Sequence, residues 1–394
     1  VPGLLLADVR LPTPEGFGAG WLATDGTTIA ALGLGAPPAG AQEGRTRVAG
    51  AGRALLPGFV DVHFHGAMGH EAMDGDPEAL TAMARFAAAH GVTSFLATTW
   101  TASRAATAAA LAAVRAALDA PRPADGARLL GAHMEGPHLN PARAGAQDAG
   151  QIRAPDDDEL AAHLDTGVVR LMTLAPELAA NGPLLDELMR RGITAAAGHT
   201  DATYDDMAAA VERGLRHVTH TFNAMRPLRH RDPGCVGACL TLDALACELI
   251  ADNHHVDPVA MDVLVRARGP EGVVLVSDAV RPTGLPDGTY RLDHRAVHLR
   301  DGAVRLDDGG LAGSVLTLDR ALANLRAATG LDVDVLWPAA SANAARSAGV
   351  ADRKGRLGPG MDADLVLLED DDSVALTVVE GAVAHAAAGA QPIT

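Results

Sequence analysis

Apolar residues recur along the chain in short runs separated by amphipathic stretches. The runs fall at residues 55–62, 93–98, 128–132, 168–174, 193–197, 217–219, 248–251 and 273–276. Helical periodicity follows most of them, over residues 77–90, 102–118, 156–164, 184–191, 201–214, 258–268 and 318–328. Asp201 reads as a helix N-cap, and Gly91, Gly192 and Gly214 sit where helices end. Eight strands alternating with helices predict an α/β fold, a (β/α)8 TIM-type barrel over residues 54–354. The competing doubly wound sheet carries a Gly-rich dinucleotide turn. The nearest candidate, Gly33-Leu34-Gly35-Ala36-Pro37-Pro38, has Pro where the third Gly belongs.

The two ends of the chain have a different texture. Runs at residues 21–24 and 28–32 flank Asp25-Gly26, a hairpin signal. Residues 363–368 and 374–379 again read as strands. This pattern predicts one small β-domain built from residues 1–53 and 355–394, with two unrelated decorations as the alternative.

Composition narrows the function. The chain has 394 residues, 48% hydrophobic, with 49 acidic against 32 basic residues and a formal charge of −17. That balance argues against a nucleic-acid or anionic-membrane partner, and 3% aromatics leave little for base stacking. Lysine occurs once, at Lys354. This excludes a P-loop lysine, a core Schiff base and a carboxylated lysine bridging two metals in residues 1–353. Three cysteines without a Cys-x-x-Cys pair are neither a disulfide framework nor a zinc knuckle, and a reducing cytoplasm is the expected compartment. The first residues make a poor signal peptide, and no clean 20-residue apolar run occurs.

The chemistry gathers at strand ends. His63 and His65 are two apart on the first barrel strand, so both side chains face one way. Glu135 ends strand three before Gly136-Pro137. His199 follows strand five, His220 follows strand six and Asp278 follows strand eight. Each alone reads equally well as an ordinary polar residue, and His133, two before Glu135, as core or supporting. Five such ends on one rim point to a site. His and carboxylate donors suit Zn²⁺ or Fe²⁺ and leave a position for water. Asp278 is placed to accept that water's proton and return it to a leaving group. Metal-assisted hydrolysis of an amide or similar bond is the expected chemistry.

These residues resemble the metal-dependent amidohydrolase superfamily. The strings Pro57-Gly58-Phe59-Val60-Asp61, Gly69-His70-Glu71-Ala72-Met73-Asp74, Glu135-Gly136-Pro137, Gly198-His199-Thr200 and His220-Thr221-Phe222-Asn223-Ala224-Met225 are similar to those of the N-acetylglucosamine-6-phosphate deacetylase family. So are Ala251-Asp252-Asn253-His254-His255-Val256-Asp257, Ser277-Asp278-Ala279 and Leu311-Ala312-Gly313-Ser314. The resemblance implies that the small terminal domain is a β-sandwich, and that the protein is a homodimer that removes acetate from an N-acetylhexosamine 6-phosphate. It implies that Glu135, His199 and His220 hold the main metal and that Asp278 is the general base and acid. Backbone amides of Asn223 and Ala224 would meet substrate oxygens, with Arg231 on the phosphate, reaching into the neighbouring subunit's site. His255 would bind substrate, and the loop Leu311, Ala312, Gly313 and Ser314 would close near the sugar.

Relatives that lack the strand-one His pair keep one metal. With His63 and His65 both present, a second metal bridged by Glu135 is expected, so one or two divalent ions per chain, zinc first, with iron, manganese or cobalt as alternatives. Ala146 and Gln147 would line the substrate site, Gln147 standing where some relatives carry a substrate-contacting His. The remaining alternatives are another N-acetylhexosamine phosphate, an N-acyl amino acid, or a non-catalytic sugar-phosphate-binding protein.

Overall fold

The structure is a computed structural model that describes residues 2–293 and 295–390; the last four residues of the expected terminal domain lie outside it. Eight parallel strands form the barrel: β1 (Phe59–Phe64), β2 (Val92–Thr99), β3 (Arg128–Glu135), β4 (Val169–Leu174), β5 (Thr194–Ala197), β6 (His217–Val218), β7 (Ala246–Leu249) and β8 (Val273–Leu275). All pair in sequence order, and the ring closes at its C-terminal rim. There Asp278 N donates to His63 O at 2.9 Å and His65 N donates to Ala279 O at 2.9 Å. The strands are buried on both faces because helices cover them, which explains their nearly unbroken apolar runs.

The expected first strand at residues 55–62 is two strands. Pro57 and Gly58 break it, and Ala54–Pro57 turns away to pair with Leu365–Leu368 in the terminal sheet. That sheet joins both chain ends, as their texture predicted. From edge to edge it runs Ala382–Ala386, Val374–Val379, Leu365–Leu368, Ala54–Pro57, Gly3–Thr13, Gly16–Asp25 and Thr28–Leu34, with Arg45–Ala49 parallel to Gly3–Thr13. A bulge between Ala7 and Val9, where Asp8 takes φ 58°, reverses the alternation of the long strand. Leu4 and Leu6 before the bulge therefore share one core with Val9 and Leu11 after it. The sheet bends there and encloses its own apolar interior.

Three further expectations needed correction. Asp201 does not cap a helix: Thr203 does, accepting from Asp206 N, and the helix is Tyr204–Glu212. Asp201 instead receives Arg143 at 2.6 Å and Arg226 at 3.3 Å. The expected loop at Leu311–Ser314 is the last strand of a four-stranded antiparallel sheet with Gly288–Leu292, Arg295–Arg300 and Ala303–Leu306. This small sheet follows β8 and sits over the barrel mouth on its own core of Val280, Leu292, Val297, Val304 and Ala312 against Trp100. The helices Val333–Ala340 and Ala342–Ser347 were not foreseen, because Pro338 disguises the first.

The chain's single lysine joins the two parts. Lys354 is 1% exposed. Its Nζ lies 2.6 Å from Asp364, 2.8 Å from Asp362 and 3.5 Å from Glu380. Burial alone would raise the Glu380 carboxyl, but Arg128's hydrogen bonds and the charges of Lys354 and Arg128 outweigh it and hold it at about 2. Replacing Lys354 with Met strands buried carboxylates, and urea unfolding should show a loss of about 3–5 kcal/mol. A carboxyl held below its ordinary 4.5 stabilises the fold fully above that pH and loses the effect as pH falls toward about 2. The stability gap between wild type and Glu380→Gln should therefore be widest near neutrality and close in acid.

Candidate active site

The sequence places the reactive side chains at the ends of five strands, and the barrel brings them together. His63 and His65 leave β1 on the same side, and Glu135 is the last residue of β3. His199, His220 and Asp278 lie two or three residues beyond β5, β6 and β8. All three adopt a left-handed backbone, with φ of 47°, 31° and 47°. That conformation costs a non-glycine residue about 1–3 kcal/mol and is retained where the surroundings enforce it. Here it swings each side chain inward over the barrel axis.

The cluster centres on Glu135. Its Oε1 lies 3.0 Å from His220 Nε2, 3.1 Å from His199 Nε2 and 3.6 Å from His63 Nε2. Its Oε2 lies 3.3 Å from His65 Nε2 and accepts from Gln147 Nε2 at 2.5 Å. Asp278 Oδ1 is 3.3 Å from His65 Nε2 and 3.4 Å from His63 Nε2. Two sets of three donors result: His63, His65 and Glu135, then Glu135, His199 and His220.

The donors fit a divalent cation. A metal-binding imidazole turns one nitrogen to the ion and gives its other N–H to an acceptor. His63 Nδ1 meets Glu248 at 2.9 Å, His65 Nδ1 meets Thr98 O at 3.1 Å and His199 Nδ1 meets Arg143 O at 2.9 Å. Three of the four Nε2 atoms are thereby aimed at the cluster, while His220 Nδ1 is buried without a partner. Electrostatics agree. Burial would lower the His63 pKa, yet Glu248, Glu135 and Asp278 outweigh it and push it well above the ordinary value. Glu135 is driven well below its ordinary value, its own burial overcome by the charge of His63 and the hydrogen bonds of His199 and His220. The carboxylates call for positive charge at their centre.

The other expected residues divide. A cleft of about 140 Å³, open at its mouth, leads to the cluster. Ala146, Gln147, Asn223, Ala224, His255, Leu311 and Gly313 line it with Asp278 and Trp100. Ala312 points away into the core of the small sheet. Ser314 is buried, its Oγ donating to Ser277 O at 2.6 Å. The Asn223 amide is already bonded to His220 O at 3.0 Å, so it is not free for substrate as expected. Gln147 is committed too: besides Glu135 it accepts from Thr101 N at 2.7 Å, so it braces a ligand. Arg231 is exposed, in the turn between Arg229 and Asp232, and does not line this cleft. His133 is a neutral core residue, lowered to about 3 by burial and by the charge of His63. It bonds Val62 O at 3.0 Å and Thr173 Oγ1 at 2.8 Å.

Two residues escaped the sequence reading. Trp100 stacks on His65 with ring centroids 4.0 Å apart. Glu248 sits behind His63 and His220. Its only sequence signal is an acid in an otherwise apolar strand.

A barrel with His-x-His on its first strand and His, His and Asp on later rims has the make-up of an amidohydrolase, and the amidohydrolase family model matches residues 54–384. The chain belongs to the amidohydrolase family. It is 39% identical over 334 residues to the N-acetylglucosamine-6-phosphate deacetylase of Bacillus subtilis, covering 84% of each chain. It is 36% identical over 333 residues to the N-acetylgalactosamine-6-phosphate deacetylase of Escherichia coli O157:H7, covering 84% of this chain and 87% of that one. Among solved structures, an N-acetyl-D-glucosamine-6-phosphate deacetylase mutant of Mycobacterium smegmatis, in complex with N-acetyl-D-glucosamine-6-phosphate, aligns with a TM-score of 0.90 and 32% identity, covering 98% of this chain and 100% of that one.

Replacing Glu135 with Gln removes the charge shared by both donor sets. Elemental analysis after gel filtration should find metal near background in that variant, and a retained wild-type content would exclude Glu135 as a ligand.

Proposed function

We propose that the protein is a metal-dependent hydrolase that removes the N-acetyl group from N-acetyl-D-glucosamine 6-phosphate, giving glucosamine 6-phosphate and acetate. The observation that carries this reading is Asp278, which lines one cleft with Glu135, His199 and His220 and lies 3.4 Å from His63 and 3.3 Å from His65. The names of the relatives supply the substrate class. His63, His65, Glu135, His199 and His220 would hold a divalent metal, which would supply Lewis-acid chemistry toward water and the acetyl carbonyl. Zinc suits the imidazole and carboxylate donors, and the two donor sets sharing Glu135 support two ions per chain.

The chain's own residues do the rest. Asp278 accepts the proton of the attacking water and hands it to the departing amine. Asp278 is lowered from its ordinary value: burial opposes this, but the charge of His63 and the hydrogen bond of His65 prevail. It therefore starts ionised, as a base must. Trp100, Ile250 and Leu311 give the cleft an apolar wall beside the polar cluster, and His255, held by Asp252 at 2.6 Å, presents its ring to the sugar side. Arg231 is exposed and does not line its own chain's cleft, and we assign it to the phosphate in a partner's cleft within a homodimer. A local guanidinium fork suffices there, since the distant net charge is screened. Among the described residues no helix is long and apolar enough to cross a membrane, and we place the reaction in the cytoplasm.

The galactosamine epimer is the second reading, favoured by the relative of that name. A non-catalytic binding protein is disfavoured by the complete ligand set with Asp278. Acetate release from phosphorylated and free N-acetyl sugars, with added zinc, tests all of these; release from no member of the panel would reject the proposal. Asp278→Asn should keep its metal and lose about 10²–10⁴-fold in kcat. Arg231→Ala should raise KM for phosphorylated substrates alone, and an equal rise for unphosphorylated ones would remove Arg231 from the phosphate.

A further inference from the structure

We propose that Glu248 is a positioning residue that locks the two halves of the ligand cluster into one geometry. The inference rests on the reading of that cluster as a metal centre. Glu248 lies on β7 and is 0% exposed. Its Oε2 accepts from His63 Nδ1 at 2.9 Å and from the backbone N of His220 at 2.9 Å. Its Oε1 faces His217 Nε2 at 2.9 Å. Both oxygens are engaged, Oε2 twice and Oε1 once, and Glu248 does not line the cleft.

Two consequences follow from that geometry. A carboxylate only accepts, so His63 carries a hydrogen on Nδ1, and in the neutral ring this leaves the Nε2 lone pair facing Glu135 and Asp278. The same oxygen anchors the amide of His220, whose backbone sits at the unfavourable φ of 31°. His63 belongs to one donor set and His220 to the other. One buried oxygen thus fixes the ring of the first and the backbone of the second.

The surrounding groups support orientation over chemistry. Ser347 Oγ lies 2.9 Å from His217 Nδ1, so Ser347, His217 and Glu248 are ordered like a nucleophilic triad. His217 and Glu248 are both fully buried, and none of the three lines the cleft, so no substrate reaches them. His63, His133 and Glu248 also lie within ligand distance of one another. His133 has both nitrogens engaged by Val62 O and Thr173 Oγ1, which leaves it no lone pair for a third ion.

The test compares metal-free wild type, Glu248→Gln and Glu248→Ala, each titrated with Zn²⁺ against a chelating indicator. Metal per chain and melting temperature are read with and without zinc. Gln keeps one acceptor oxygen for His63 and His220, so its zinc affinity should fall about 10–100-fold, with Ala falling further. The zinc-induced rise in melting temperature should shrink in the same order, while the metal-free Gln variant melts close to metal-free wild type. Unchanged zinc affinity in the Gln variant overturns the proposal, and so does a loss of stability equal in metal-free and zinc-loaded protein. If the Ala variant does not fold, the Gln variant carries the test alone. Wild type that takes up no zinc overturns the metal reading instead, which keeps the two failures distinct.

Discussion

One carboxylate oxygen governs this molecule. Glu135 Oε1 has three imidazole nitrogens within 3.6 Å, in a place where the residue is 2% exposed. An ionised carboxylate in such a position is untenable unless positive charge meets it. The surrounding carboxylates act on the imidazoles in turn: Glu248, Asp278 and Glu135 push His63, His65 and His220 upward against their burial. A divalent ion would take the place of that positive charge, and its uptake would release protons.

The barrel is what makes that convergence affordable. Each strand carries one reactive side chain to the same rim, and the stiffness of the packed core prevents the like-charged groups from separating. Left-handed backbone at His199, His220 and Asp278 adds strain that the local hydrogen bonds hold. Asn140 N bonds His199 O at 2.9 Å, and Ser314 N bonds Asp278 O at 2.8 Å. The second of these ties the small sheet over the mouth directly to the proposed base. The covering sheet and the catalytic rim are thus one hydrogen-bonded unit.

The convergence of these side chains on one rim was legible in the sequence for a simple reason. Period-two spacing puts His63 and His65 on one face, and a polar residue just past an apolar run falls on the rim. What lay beyond reach depended on tertiary packing. Gly288–Ser314 has short strands with exposed charged positions, so its alternation is weak and it reads as loop. The 55–62 run looks continuous because both its halves are buried, one in each sheet. Asp201 and Thr203 are equally good caps by residue type, and only the two arginines that claim Asp201 decide between them. Gln147 has the chemistry of a substrate donor, and its bond to Glu135 emerges only when strand three and the following loop are folded.

The scarcity of lysine bears on the two-ion proposal. Under that proposal the group between the ions would be a carboxylated lysine or a carboxylate. The single lysine here is buried in a salt-bridge network with Asp364 and Asp362, beside Glu380, which pairs with Arg128 at the opposite end of β3 from Glu135. Its ammonium is needed there in charged form, since three carboxylates depend on it. With that lysine committed elsewhere, Glu135 is the carboxylate common to both donor sets, and it reaches them because β3 ends on it before Gly136. Its two oxygens face four imidazoles, so the imidazoles must be held in place by something other than Glu135. Thr98, Arg143 and Glu248 do that from outside the ring, and the supporting shell becomes as necessary to the geometry as the ligands themselves.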